Sequence, residues 1–293
     1  MSEPPLCAPP DPNPRAPRNA IPSGACDCHF HIFDAPSQQV AERGYTAPDA
    51  TSLDYQHLQA TLGLERGVII QPSIYGTDNR TTLAMSDGDG RMRAVVVVDD
   101  SATQDGLEAM SRQGAVGMRA NLLFPSGAQT SDLHRLTRTL ADVRWHLQIL
   151  ADVSTFQDLE RFAADIPVPI VFDHMGHVSA TKGVNEPGFQ SLLRQLDSGR
   201  HWVKLSGAYR VTAGDPCYAD VADMARTLVA TNPDRLVWGS DWPHPAISGP
   251  MPNDGDLLDF LFEWADTETA HKILVRNPET LYGFPKWEAS NGA

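Results

Sequence analysis

Cysteine is scarce in this 293-residue chain: Cys7, Cys26, Cys28 and Cys217 are the whole supply, and they form no pair of CxxC motifs. That spacing excludes a zinc ribbon and offers no disulfide framework. No apolar run approaches the roughly 18 residues that a membrane span needs. The start, Met1-Ser2-Glu3-Pro4-Pro5, lacks both the basic and the apolar stretch of a secretory signal. A soluble protein of the cytoplasm with no membrane partner is the expectation. Positive charge is also in deficit, with 23 Lys and Arg against 37 Asp and Glu and a formal net charge of −14. Such a surface repels nucleic acid, so no nucleic-acid partner is expected. An anionic small molecule could still be bound by local cations inside a pocket, which makes each arginine near a candidate site informative.

What is present points to one large α/β domain. A hydrophobic fraction of 41% is a globular value and, at this length, supplies a sizeable core. Residues 1–22 are rich in proline and poor in periodic apolar residues, so they read as an extended arm, with the domain spanning 23–293. From Ser23 onward, apolar β-branched runs alternate with amphipathic stretches, as in repeated βα units. Eight strands are expected: Ala25–His31, Gly67–Gln71, Met92–Val98, Val116–Arg119, His146–Leu150, Ile170–Asp173, Trp202–Leu205 and Arg235–Gly239. Helical segments are expected at Leu53–Leu62, Arg80–Met85, Gln104–Gln113, Asp132–Asp142, Phe156–Ala164, Phe189–Leu196 and Ala219–Ala230, then Asp254–Ala265 and Glu268–Val275. Eight strands, and no GxGxxG after the first, favour a distorted (β/α)8 TIM barrel over a doubly wound sheet.

In such a barrel the chemistry sits where strands end. The first strand ends Asp27-Cys28-His29-Phe30-His31, and a period of two would point Asp27, His29 and His31 into the barrel with Cys26, Cys28 and Phe30 outward. The sixth runs into Asp173-His174-Met175-Gly176 and the eighth into Ser240-Asp241-Trp242-Pro243-His244. Paired histidines and a carboxylate have little packing rationale there, because buried imidazoles and carboxylates need partners. His29, His31, His174 and Asp241 are therefore the candidate catalytic group. His177 and His244 lie further out in their loops, and His57, His134, His146, His201 and His271 read as background.

These residues resemble the amidohydrolase superfamily, specifically its 2-pyrone-4,6-dicarboxylate lactonase-like branch. The matching motifs are the HxH of Gly24–His31, Gln71-Pro72-Ser73-Ile74-Tyr75-Gly76-Thr77-Asp78-Asn79, Gly117-Met118-Arg119, Asp173–Gly176 and Trp238-Gly239-Ser240-Asp241-Trp242-Pro243-His244-Pro245, spread from about Gly24 to Phe284. HxH alone is a weak signal; the set in this order is specific. The resemblance implies hydrolysis of a carboxylate-bearing lactone, pyrone-dicarboxylate-like or a sugar-acid lactone. In it Asp241 activates water, His29, His31 and His174 polarise the carbonyl, and Arg119, Arg210, Tyr45, Ser73 and Tyr75 bind substrate. Arginine suits carboxylate because its planar fork bonds bidentately.

Two departures bear on the substrate. The second arginine that the branch carries in the loop after Arg119 is replaced near Pro125, and a tyrosine at the end of the fifth strand is replaced by Leu150. A lactone with fewer carboxylates than the pyrone dicarboxylate fits the reduced positive charge. The branch works without metal, and the fifth strand ends Gln148-Ile149-Leu150 where metal-dependent relatives place a ligand, so no cofactor is expected. A divalent metal such as zinc remains the alternative, on His29, His31, His174 and Asp241. Rival functions on the same residues are a lactone isomerase, a metal-dependent decarboxylase and a non-enzymatic sugar-acid binding barrel. Isomerases of the branch tend to lose one histidine of the HxH, and this chain keeps both. Composition leaves the oligomeric state open.

Overall fold

A computed structural model of the chain describes residues 4–86, 90–123, 133–215, 217–247 and 249–288. Eight parallel strands neighbour one another in chain order: β1 Cys26–Phe30, β2 Arg66–Ile70, β3 Met92–Val96, β4 Ala115–Asn121, β5 His146–Leu150, β6 Ile170–Phe172, β7 Trp202–Leu205 and β8 Leu236–Trp238. The sheet curls into a nearly closed TIM barrel. Backbone hydrogen bonds join the eighth strand to the first through residues beyond its end: Asp241 N donates to His29 O at 2.7 Å and His31 N to Trp242 O at 2.8 Å. Barrel closure and the reactive motifs therefore share the same few residues.

The expected strands all form, with ends within two residues of the reading. Helices occupy Ser52–Leu62, Arg80–Met85, Gln104–Ser111, Leu133–Asp142, Leu159–Asp165, Pro187–Asp197, Ala222–Thr231 and Asp254–Trp264. Asp132, the expected start of one of them, lies outside the described residues, as does Pro125. The last expected helix breaks into Thr267–His271, a π turn over Lys272–Arg276 and Asn277–Tyr282.

Local chemistry fixes the helix over the first strand. Thr51 caps Ser52–Leu62 and exchanges bonds with Asp54 in a capping box, and Gly63 ends it in the left-handed region at φ 71°. Tyr55 on its buried face stacks on Phe30 with ring centroids 3.6 Å apart, and its hydroxyl reaches Asp27 Oδ2 at 3.2 Å. Helix packing is thus tied directly to the first strand.

Inside the barrel, Cys26, Cys28, Val68, Ile70, Val95, Val171 and Val237 form an apolar plug closed by Tyr282 and Phe284. Below it the buried Arg66 bonds to Gly24 O, Val275 O and Glu279, so this arginine is part of the scaffold. Residues 4–22 form no helix and run over their own barrel. Thr46 N donates to Pro5 O and Cys7 N to Thr46 O, while Asp259 accepts from Arg18 N and from Asn19. No helix among the described residues is long and apolar enough to cross a membrane.

Candidate active site

The first strand departs from strict alternation, and the departure builds the site. Cys26 and Asp27 pair with Arg66 and Gly67, but Phe30 pairs with Ile69, so β1 holds one extra residue between Asp27 and Phe30. This bulge corrects the period-two reading. Cys26 and Cys28 face the barrel interior, and Asp27 faces the gap between barrel and helix, where it accepts from Tyr55, Ser240 N and Ser240 Oγ. Bulges re-aim side chains beside active sites, and this one turns His29 inward directly after Cys28, with His31 following. Gly239 makes the approach possible: a Cβ there would lie 2.6 Å from the His29 Cβ.

Around Asp241 the three expected imidazoles converge. His29 Nε2 and His31 Nε2 stand 3.6 and 3.7 Å from Asp241 Oδ1, and His174 Nε2 stands 3.7 Å from Oδ2. All four residues are at most 2% exposed. Asp241 Oδ2 accepts from Tyr209 OH at 2.6 Å and Arg210 Nε at 2.5 Å, whereas Oδ1 has no hydrogen-bond partner among the described residues. Backbone strain concentrates here too, since Asp241, His174, Met175, His177 and His244 all have positive φ. Such strain persists where surrounding structure over-determines it, commonly at functional sites.

The electrostatics leave a charged carboxylate among neutral rings. Burial pushes the Asp241 carboxyl up, but Arg210 and the surrounding imidazoles outweigh it and hold the group well below the usual carboxylate range. Burial, with the Lys204 charge behind it, draws His29 down to about 3. Burial likewise lowers His31 and His174. His31 Nδ1 lies 2.7 Å from Ile70 O. A carbonyl only accepts, so the neutral ring carries its proton on Nδ1 and turns a lone pair at Nε2 toward Asp241. Two acceptors, His31 Nε2 and Asp241 Oδ1, thus face each other 3.7 Å apart.

Over this floor lies a cavity lined by His31, Tyr45, Ser73, Arg119, His174 and Arg210, with Asn121, Leu150, His177 and Asp241 also on its wall. Tyr75 does not join them. The short 3-10 turn Ser73–Tyr75 sends Ser73 to the cavity and buries the tyrosine, whose hydroxyl donates to Asp34 O at 3.2 Å. Arg210 lines the wall, but its Nε is committed to Asp241 and its Nη2 to Pro245 O. Arg119 makes one long contact, Nε to Asp173 Oδ2 at 3.4 Å, and its two Nη groups have no hydrogen-bond partner among the described residues.

Several participants escaped the sequence reading. Tyr209 sits beside the expected Arg210 on the short helix Ala208–Val211. Behind Tyr209 runs a buried chain, with His244 Nδ1 3.2 Å from its hydroxyl and His244 Nε2 3.2 Å from Asp254 Oδ1. Lys204, fully buried in the apolar strand Trp202–Leu205, donates to Cys28 O and Gln148 Oε1, both at 2.8 Å. Asp173 accepts from Gln148 at 3.0 Å and lies 3.3 Å from His29 Nδ1. A lysine in the middle of an apolar strand was the one signal available for the inner network.

The donor set also suits a divalent cation. Ligand atoms of His29, His31 and Asp241 lie within 4.8 Å of one another. His29 Nε2 and Asp241 Oδ1 are buried without hydrogen-bond partners, and imidazole with carboxylate is the ligand chemistry of zinc. His29, His31 and Asp241 are therefore the residues that would hold such an ion.

Strand order, barrel closure through the HxH and Ser240–His244 motifs and a histidine–aspartate floor are those of an amidohydrolase. The amidohydrolase family's sequence pattern matches residues 26–284, and the chain belongs to that family. It is 36% identical over 275 residues to a 4-sulfomuconolactone hydrolase of Hydrogenophaga intermedia, covering 91% of each chain. It is 33% identical over 285 residues to a 2-pyrone-4,6-dicarboxylate hydrolase of Comamonas testosteroni, covering 92% of this chain and 93% of that one. An apo crystal structure from Agrobacterium tumefaciens superposes with a TM-score of 0.87 at 29% identity, covering 94% of this chain and all of the other.

Proposed function

We propose that this protein is a lactonase that opens the ring of a small lactone bearing one anionic group, carboxylate or sulfonate. One observation carries the reading: the partnerless Asp241 Oδ1 faces the His31 Nε2 lone pair across 3.7 Å at the floor of a cavity topped by Arg119. Two neighbouring acceptors call for a molecule with two protons to donate, which is the attacking water. The relatives named above, both hydrolases by name and one of them a lactone hydrolase, support the same chemistry.

In this mechanism the water donates one proton toward Asp241 Oδ1 and the other toward His31 Nε2. Asp241 takes its proton as the water oxygen bonds to the acyl carbon, producing a tetrahedral oxyanion. Neutral imidazoles at His174 and His29 polarise the carbonyl; Ser206 Oγ, 2.9 Å from His174 Nδ1, can donate there and so keep the proton of His174 on Nε2. Donors aimed at the developing oxyanion stabilise the transition state more than the ground state. The ring C–O bond then breaks, and the proton held by Asp241 passes to the departing oxygen, which restores the ionised base. A low pKa makes Asp241 a weak base, so proximity must compensate. A divalent metal held by His29, His31 and Asp241 would add Lewis-acid polarisation and a more acidic bound water.

Substrate anchoring falls to Arg119, with Tyr45 and Ser73 beside it. Arg210 is tied to Asp241, so the cavity offers one uncommitted guanidinium fork among the described residues, and Leu150 gives an apolar wall. That supports one anionic group on the substrate. The test is a panel of lactones carrying one or two carboxylates or a sulfonate, followed by a pH indicator with and without chelator. Acid release is expected from a mono-anionic lactone, and Asp241→Asn is expected to cut kcat by about a hundred- to ten-thousandfold. Release of no acid from any lactone would remove the proposal.

A further inference from the structure

We infer that Lys204 is a positioning residue that fixes the tautomer of His29, holding the ring proton on Nε2 so that this nitrogen meets Asp241 as a donor and not a metal as a ligand. The lysine is fully buried on β7, and its side chain does not line the cavity. Its ammonium has three protons and meets three acceptors: Cys28 O at 2.8 Å, Gln148 Oε1 at 2.8 Å and His29 Nδ1 at 3.2 Å. An ammonium has no lone pair, so Nδ1 must be the accepting nitrogen. The proton of the neutral ring is then on Nε2, 3.6 Å from Asp241 Oδ1.

A competitor stands next to it. Asp173 Oδ1 is 3.3 Å from the same Nδ1 and 3.6 Å from Lys204 Nζ, yet has no hydrogen-bond partner among the described residues. If Lys204 did not donate to Nδ1, the ring proton would move there and bond to Asp173, leaving the Nε2 lone pair to face Asp241 and His31. That second arrangement is the carboxylate–histidine pairing that raises a metal ligand's basicity. Lys204 and Asp173 therefore hold His29 between two uses of one nitrogen. Burial draws the Lys204 ammonium below its usual range while the ionised Asp173 beside it pushes the other way, and three matched acceptors favour the donor state.

The experiment is nitrogen-detected NMR of the full-length, histidine-labelled protein, freed of metal by chelation, together with zinc titration by calorimetry. In wild type, the His29 signal, assigned by its loss in His29→Gln, is expected to show a bare Nδ1 and a proton on Nε2. Lys204→Met removes all three donors. It should move the proton to Nδ1 and tighten zinc binding by about ten- to a hundredfold, the usual size of an outer partner's effect on a metal site. A wild-type ring protonated on Nδ1 would overturn the inference, as would a Lys204→Met protein with unchanged tautomer or unchanged zinc affinity. Should the variant not fold, the wild-type spectrum decides by itself. The consequence for catalysis, a fall in kcat with little change in KM for Lys204→Met, rests on the lactonase reading; the tautomer and zinc readouts do not, so the two can fail separately.

Discussion

Replacing Arg210 by methionine separates two roles that the sequence motif alone cannot distinguish. The guanidinium Nε lies 2.5 Å from Asp241 Oδ2, with the arginine side chain 12% exposed and the carboxylate 1%. At an effective dielectric of about 20, opposite charges this close attract by roughly 7 kcal/mol. Much of that offsets the desolvation of both groups, and breaking such a buried pair typically destabilises by about 3–5 kcal/mol because one charge is left uncompensated. Tyr209, at 2.6 Å on the same oxygen, would remain and supply one charge-assisted bond of about 1.5–3 kcal/mol. The Asp241 carboxyl should therefore bind a proton more readily in Arg210→Met. The assay is kcat/KM as a function of pH, paired with urea unfolding. An acid limb displaced upward and a lowered unfolding midpoint are expected. A variant with the wild-type pH profile and stability, changed only by a raised KM, would refute the reasoning and make Arg210 a substrate clamp.

Four other outcomes follow from the same geometry. Arg119→Ala should raise KM by roughly ten- to a hundredfold, the worth of one charge-assisted contact of about 1.5–3 kcal/mol; a fall confined to kcat in steady-state kinetics would contradict it. Wild-type kcat should stay flat from about pH 5 to 8, because Asp241 is held below the carboxylate range and His29 is drawn to about 3. The activity of the base and its stabilising charge are both present above the ordinary carboxylate pKa and lost only as pH falls through the depressed value. Asp27, pushed by burial to about 6, has the opposite sign: its protonation favours the fold, so that contribution fades as pH rises from about 4 to 6. Asp27 faces away from the cavity, so this change belongs to the unfolding curve, and an acid limb in kcat at about pH 6 would contradict the assignment. Gly239→Ala should destabilise by about 1–3 kcal/mol and abolish most activity, because its Cβ would lie 2.6 Å from the His29 Cβ; a folded variant with full kcat would show that barrel closure tolerates more play.

Much of the fold could be read from the chain because each strand is a short apolar run between turn residues, and eight such runs in βα alternation leave few architectures. The convergence of His29, His31, His174 and Asp241 was legible for the same reason, since strand ends in a barrel share one mouth. What escaped is what depends on register. A period of two cannot reveal the extra residue between Asp27 and Phe30, so the inward and outward sides of β1 were misread at Asp27, Cys26 and Cys28. Tyr75 stands apart from the cavity because a 3-10 turn rotates successive side chains by about a third of a circle, and of that turn Ser73 meets the cavity. Tyr209 and Asp173 each adjoin an expected site residue, but adjacency in sequence does not say which neighbour points inward.

The central claim is that water, activated by Asp241, opens a lactone ring. Turnover of a mono-anionic lactone in heavy-oxygen water, followed by mass spectrometry, tests it directly. One labelled oxygen in the new carboxylate is predicted. An unlabelled product of the same mass as the substrate, or one that has lost carbon dioxide, would contradict it.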